Sequence, residues 1–363
     1  MNHPSPSNSS ISTSIAVVVL IIIVVAAASG IILLQLSSTG KTGATTSAKS
    51  VSFMTDVCCR GYHGLFFYGY YHQFYTQNGL SVSVLPGSGS PGTITAVATG
   101  KATFGFVDTG TLAKTEMTSN VSNIRIIAMI LPVNFLCIIY NKAVIHSISD
   151  LNGKTGASSG PAIGPQALFP VIATDNGINP SSIKWTYGTV STYESTLALG
   201  KVDFILTTVN QLANIQPVAS QNGIQLGVFP YSQYGLNIYG SALITTTQMI
   251  ANQPAIVQKF VNATLWSVIE AVHNPLAAIQ SADQYSATVN STGTALADFE
   301  LTVNSSMPKV NSTVYSNNPL TWGWIDSATM QQTINTVARG YNITTPMDAS
   351  QIFTDQFTAN PST

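Results

Sequence analysis

The sequence predicts an α/β protein in which two lobes are each built on a parallel-rich sheet. Three observations predict it. Short runs of β-branched residues alternate with amphipathic stretches, and repetition of strand, helix, strand implies parallel pairing. The chain beyond residue 50, about 310 residues, exceeds what one core ordinarily serves, so two lobes are the expected division. Gly- and Ser-rich loops follow the carboxyl ends of several expected strands, where parallel sheets place their ligands.

From the N-terminus, residues 1–14 are polar, and residues 15–36 form a 22-residue run without charge, broken only by Ser29, Gly30 and Gln35. At 1.5 Å per residue that run spans about 33 Å, enough to cross a bilayer. Ala26, Ala27 and Ala28 offer a small-residue cleavage site, but the apolar run resumes at Ile31, so a transmembrane anchor is expected ahead of a cleaved secretory signal. Residues 37–50, SSTGKTGATTSAKS, contain nothing able to pack and read as a flexible Ser/Thr/Gly linker. Glycosylation sequons at Asn8, Asn120, Asn262, Asn290, Asn304, Asn311 and Asn342 suit an extracytoplasmic surface.

Composition narrows the function. Only 7% of residues are charged (13 Lys+Arg, 14 Asp+Glu), the net charge is −1, and no basic run occurs, which excludes the electrostatic footprint of a nucleic-acid binder. A hydrophobic content of 45%, with 14 Phe and 14 Tyr, excludes disorder. Three cysteines exclude a disulfide framework. Few ionisable groups also limit charge self-repulsion in acid, so acid tolerance is expected.

Strands are expected at 51–54, 80–85, 102–107, 124–131, 135–140, 183–187 and 202–206. Between the first two, Phe67, Tyr70, Tyr71 and Phe74 share one helical face, ended by the C-cap signal Asn78-Gly79. Ser191 with Glu194 reads as a capping box opening a helix at 192–199. Pro254 suits a first helical turn, with Ile256, Val257, Phe260, Val261 and Leu265 on the apolar face that follows. Loops at 86–93 (PGSGSPGT), 108–111, 156–161 and 188–191 each precede an expected helix, exposing backbone N–H groups that suit an anionic or polar ligand.

At these residues the chain resembles solute-binding proteins for nitrate, sulfonate, taurine and thiamine-pyrimidine uptake, of the type 2 periplasmic-binding-protein superfamily. The resemblance is carried by Gly61-Tyr62-His63-Gly64-Leu65-Phe66-Phe67, by Gly79-Leu80-Ser81-Val82, and by Gly100-Lys101-Ala102-Thr103-Phe104-Gly105, in the family's order. Asp150-Leu151-Asn152-Gly153-Lys154, Gly200-Lys201-Val202-Asp203 and Tyr234-Gly235-Leu236-Asn237 continue it. It implies a two-lobed clamp, with 51–140 and 241–363 forming lobe 1 and 141–240 forming lobe 2. It also implies a small solute held between them and delivered to the permease and ATPase subunits of an ABC importer. The binding residues then divide between the lobes: Cys59, His63, Ser88, Gly89, Ser90 and Thr109 on lobe 1, and Ser158, Ser159, Gly160, Thr189 and Thr207 on lobe 2.

The same superfamily includes hydroxymethylpyrimidine-phosphate synthases, for which the resemblance implies a lysine four residues before the matching histidine and a cysteine-rich cluster. Here Cys59 stands four residues before His63 and no run of three cysteines exists, so no catalysis and no cofactor are expected. Asp108-Thr109-Gly110-Thr111 matches an aspartic-protease turn superficially, but two carboxylates sharing a proton are required and Asp326 lacks the matching strand context, leaving Asp108 as a turn residue or helix cap. Cys58 and Cys59 are adjacent, which strains a mutual disulfide, and pairing of either with Cys137 stays open. With His63 they invite a metal site, yet no second ligand pair follows at a recognised spacing, so packing or ligand contact is expected instead.

Overall fold

The computed structural model describes residues 48–119, 121–161, 164–289, 293–307 and 318–360. The expected anchor at 15–36 lies outside the described residues, among which no helix is long and apolar enough to cross a membrane. The strands are β1 (Lys49–Met54), β2 (Leu80–Leu85), β3 (Phe104–Asp108), β4 (Ile124–Met129), β5 (Leu136–Asn141), β6 (Thr155–Ser158), β7 (Lys184–Tyr187), β8 (Phe204–Thr208), β9 (Leu226–Pro230) and β10 (Ser241–Thr246). The helices are α1 (Gly64–Tyr71), α2 (Phe74–Gln77), α3 (Ser90–Ala98), α4 (Thr109–Thr118), α5 (Gly164–Asp175), α6 (Val190–Ala198) and α7 (Leu212–Gln221). They continue as α8 (Thr247–Asn252), α9 (Pro254–His273), α10 (Pro275–Tyr285), α11 (Gly293–Ser306), α12 (Pro319–Trp322) and α13 (Ser327–Gly340).

The strands form two five-stranded sheets, ordered β2-β1-β3-β10-β4 and β7-β6-β8-β5-β9. β1 pairs parallel with β2 and β3, and β6 pairs parallel with β7 and β8; helical crossovers link these strands, as parallel neighbours require. The antiparallel strands β10 and β5 are those that each sheet receives directly from the other. Because β5 already belongs to the second sheet, the first crossing is complete by Leu136, ahead of the boundary expected at 140.

The two crossings hydrogen-bond to each other. Gly240 N–H donates to the Leu131 carbonyl (3.1 Å) and Asn134 N–H to that of Ile238 (3.0 Å). A Cβ at Gly240 would stand 2.6 Å from the Leu131 oxygen, so only glycine permits this approach. The C-terminal segment then reaches back across: α11 packs against α7 and the short helix Val209–Gln211, and α13 packs against α5.

Local sequence explains most elements. Pro254 opens α9, whose Val257, Phe260, Val261 and Leu265 are buried on the first sheet, with the Phe260 ring stacked 3.9 Å from that of Phe104. The helix expected through Phe74 breaks at Gln73, whose φ of 62° is left-handed, giving α1 and α2; Phe67 is fully buried, whereas Tyr70, Tyr71 and Phe74 pack at the edge of the core. α6 starts at Val190 rather than 192, because the Thr189 hydroxyl accepts the Thr192 N–H and so caps the helix in place of Ser191.

Candidate functional site

The carboxyl ends of β1 and β3, the end of β8, the start of α5 and the two crossings enclose a cavity of about 220 Å³. Lobe 1 contributes Asp56, Asp108 and Thr111, and lobe 2 contributes Pro165, Leu168 and Thr208. Phe135 and Ile238 line it from the crossings, and Val337 and Tyr341 close one side from α13 and the residue after it.

Asp56, two residues past β1, is held by three donors. Nδ1 of His63 accepts the Arg60 N–H at 2.9 Å, so the proton sits on Nε2, which donates to Asp56 Oδ1 at 2.9 Å. The Tyr62 hydroxyl donates to Oδ2 (2.9 Å) and the Val57 N–H to Oδ1 (2.8 Å). Burial, and then the Asp56 charge, push the Tyr62 phenol well above its usual range, so it remains a donor at any physiological pH.

Asp108, the last residue of β3, caps α4: its Oδ1 accepts from Thr111 N (2.7 Å) and Thr111 Oγ1 (2.8 Å). Burial raises its carboxyl, the Thr111 bonds lower it, and the charge of Asp56 raises it again. Among the described residues no hydrogen bond reaches Asp108 Oδ2, and none joins Asp108 to Asp326, which caps α13.

A second set of contacts ties the lobes together beside this cavity. Asp298 on α11 accepts the Tyr62 N–H (3.1 Å) with Oδ1 and the Asn210 side-chain amide (3.2 Å) of lobe 2 with Oδ2. Burial raises the carboxyls of Asp298 in lobe 1 and of Glu194 in lobe 2, the latter to about 7, and the charge of Arg60 partly offsets both. Arg339 of α13 pairs with Asp175 of α5 at 3.2 Å.

None of the residues expected to bind ligand is among those that line this cavity. His63 is fully buried and positions Asp56. Cys59 is bonded to Cys58 and packs in the core, while Cys137 is free and buried in β5. Ser88 is exposed, the Gly89 N–H donates to the Asp56 carbonyl (2.6 Å), and the Ser90 hydroxyl accepts the Asp108 N–H (3.0 Å). Thr109 is fully buried, and its hydroxyl has no hydrogen-bond partner among the described residues. In lobe 2, Ser158 donates to Gln166 (2.8 Å) and accepts the Gly160 N–H (3.2 Å), Ser159 is exposed, and Thr189 caps α6. Thr207 hydrogen-bonds Tyr193 (3.2 Å), and its neighbour Thr208 faces the cavity, since successive strand residues point to opposite sides. Asp56 carries no motif that would single it out, and Asp108 was legible only as a cap.

Solved structures of like architecture include the periplasmic aliphatic sulphonate binding protein SsuA of Escherichia coli (12% identity, TM-score 0.64, covering 84% of this chain and 91% of that one). The alkanesulfonate-binding protein SsuA of Xanthomonas axonopodis pv. citri, bound to MOPS, is similar too (11%, TM-score 0.59, 85% and 100%). So is a Candida albicans protein described as having the generic periplasmic binding protein fold (12%, TM-score 0.61, 85% and 97%). At these identities the likeness establishes the fold: two lobes of the periplasmic-binding-protein kind. Among curated proteins none matches the sequence. The profile of the NMT1/THI5-like family matches residues 60–278, more than half of the sequence, and the chain belongs to that family.

Proposed function

We propose that this protein is the extracytoplasmic solute-binding component of an ABC importer, held at the membrane by residues 15–36 and delivering a small polar solute to a permease and its ATPase. One observation carries the reading: the cavity is walled by both lobes and hinged by two hydrogen-bonded crossings. A solute touching both walls favours the closed state by its differential affinity, and closure changes the surface offered to a permease. The sulphonate-binding proteins of like fold support solute capture. Of the solutes that the resemblance implies, sulfonates and nitrate-like oxyanions suit the cavity least, because the carboxylates of Asp56 and Asp108 line it. The role involves no covalent step.

Thermal unfolding of the full chain against ethanesulfonate, taurine, nitrate, cytosine and benzamidinium tests this. A solute at 100 times its dissociation constant adds about 2.7 kcal/mol of stability, an upward shift in Tm that is easily read. An unchanged Tm with every compound contradicts the proposal.

A further inference from the structure

We infer that the solute gripped in this cleft carries a cationic, N–H-donating group, a protonated amine or an amidinium, seated between the carboxylates of Asp56 and Asp108. The inference rests on the solute-binding reading and deepens it by naming the charge class.

Asp56 and Asp108 follow or end neighbouring parallel strands, β1 and β3, and both line the cavity. No Lys, Arg or His is among the described residues that line it. Lys114 and Arg60 are not among the lining residues. Lys114 Nζ lies 4.4 Å from the centroid of the Tyr341 ring, and Arg60 acts on Asp298 and Glu194. His63 is the neutral tautomer, because its Nδ1 already accepts a backbone N–H. It orients Asp56 without cancelling its charge.

The rest of the wall is largely apolar, with Phe135, Leu168, Ile238 and Val337, so charges inside it are weakly screened. Burial first, and the Asp56 charge last, push the Asp108 carboxyl up, and no cationic side chain among the described lining residues offsets them. An anion entering here is repelled by both acids and finds no donor side chain of opposite charge. A cation relieves both at once, and it completes the coordination of Asp108 Oδ2, which lacks a partner among the described residues.

The test is calorimetric titration of the full chain with two ring compounds of matched shape and opposite charge, benzamidinium and benzenesulfonate, alongside nitrate and cytosine. Benzamidinium is expected to bind saturably and the two anions not at all. Asp108→Asn, which keeps a helix-capping side chain, and Asp56→Asn are each expected to weaken benzamidinium by roughly tenfold or more, with the circular dichroism spectrum unchanged. If either variant fails to fold, the wild-type contrast between benzamidinium and benzenesulfonate decides alone. Preferential binding of benzenesulfonate, nitrate or cytosine, or benzamidinium binding indifferent to both substitutions, overturns the cationic assignment and leaves solute capture standing. Silence toward all four probes overturns the assignment, and silence across the thermal panel as well overturns the importer reading with it.

Discussion

Three donors converge on the Asp56 carboxylate, and the one from His63 comes from a ring with no exposed surface. His63→Phe keeps the ring but leaves the Arg60 N–H and one Asp56 oxygen each short of a bond. Unpaired buried groups cost about 1–3 kcal/mol each, so the urea midpoint is expected to fall clearly; an unmoved midpoint contradicts the assigned tautomer and role. His63 was legible in the sequence as a candidate, because Gly61-Tyr62-His63-Gly64 stands at the first loop of the clamp. Its task was not: a histidine turned inward onto a carboxylate and one turned outward onto a solute share the same letters. Thr208 and not Thr207 lines this cavity, since a shift of one along a strand moves a side chain to the other face.

At the scale of elements, α9 anchors lobe 1 through Phe260, which is stacked on Phe104 and also meets Phe53 and Tyr75. Phe260→Ala empties that space and is expected to cost about 3–5 kcal/mol, measured by chemical unfolding; a loss under about 1 kcal/mol contradicts the packing. The cap of α6 offers a finer check. Thr189→Ala is expected to cost about 1 kcal/mol and Ser191→Ala almost nothing, and the reverse order restores the capping box read from Ser191 and Glu194. Strands with β-branched runs, such as β2 and β4, were legible within a residue or two. β6 was not, because its TGAS sequence is small where the rings of Phe204 and Trp185 cover Gly156, and packing rather than propensity makes it a strand. β10 escaped for the opposite reason, being buried on both faces and so lacking alternation.

For the whole molecule, scarcity of charge and the placing of the acids act in the same direction. Burial raises Glu116 to about 8, partly offset by Arg125, and Glu194 to about 7, partly offset by Arg60; Asp108 and Asp298 are raised as well, mainly by burial. A raised carboxyl makes the folded state hold protons that the unfolded chain has released, so its contribution is complete below the unfolded value of 4.5 for glutamate and is lost as pH rises through 7 to 8. Asp150, Asp326 and Asp348, lowered by hydrogen bonds, act oppositely, but only below the ordinary aspartate range. The Tm is therefore expected to be higher at pH 5 than at pH 8, and the reverse contradicts the assigned burial of these acids. The two-lobed division was legible from length and from strand–helix alternation, whereas the charge of the cleft was not, since it depends on which side chains two distant strands turn to one point. Lys101 and Lys201 are exposed at the turns before β3 and β8, away from the strand ends that line the cavity. Spin labels on a Lys101→Cys/Lys201→Cys chain report the distance between the lobes by pulsed dipolar spectroscopy, with and without each compound of the thermal panel. At least one compound is predicted to narrow and shift that distance distribution, and a distribution unmoved by a compound shown to bind contradicts a solute held between the lobes.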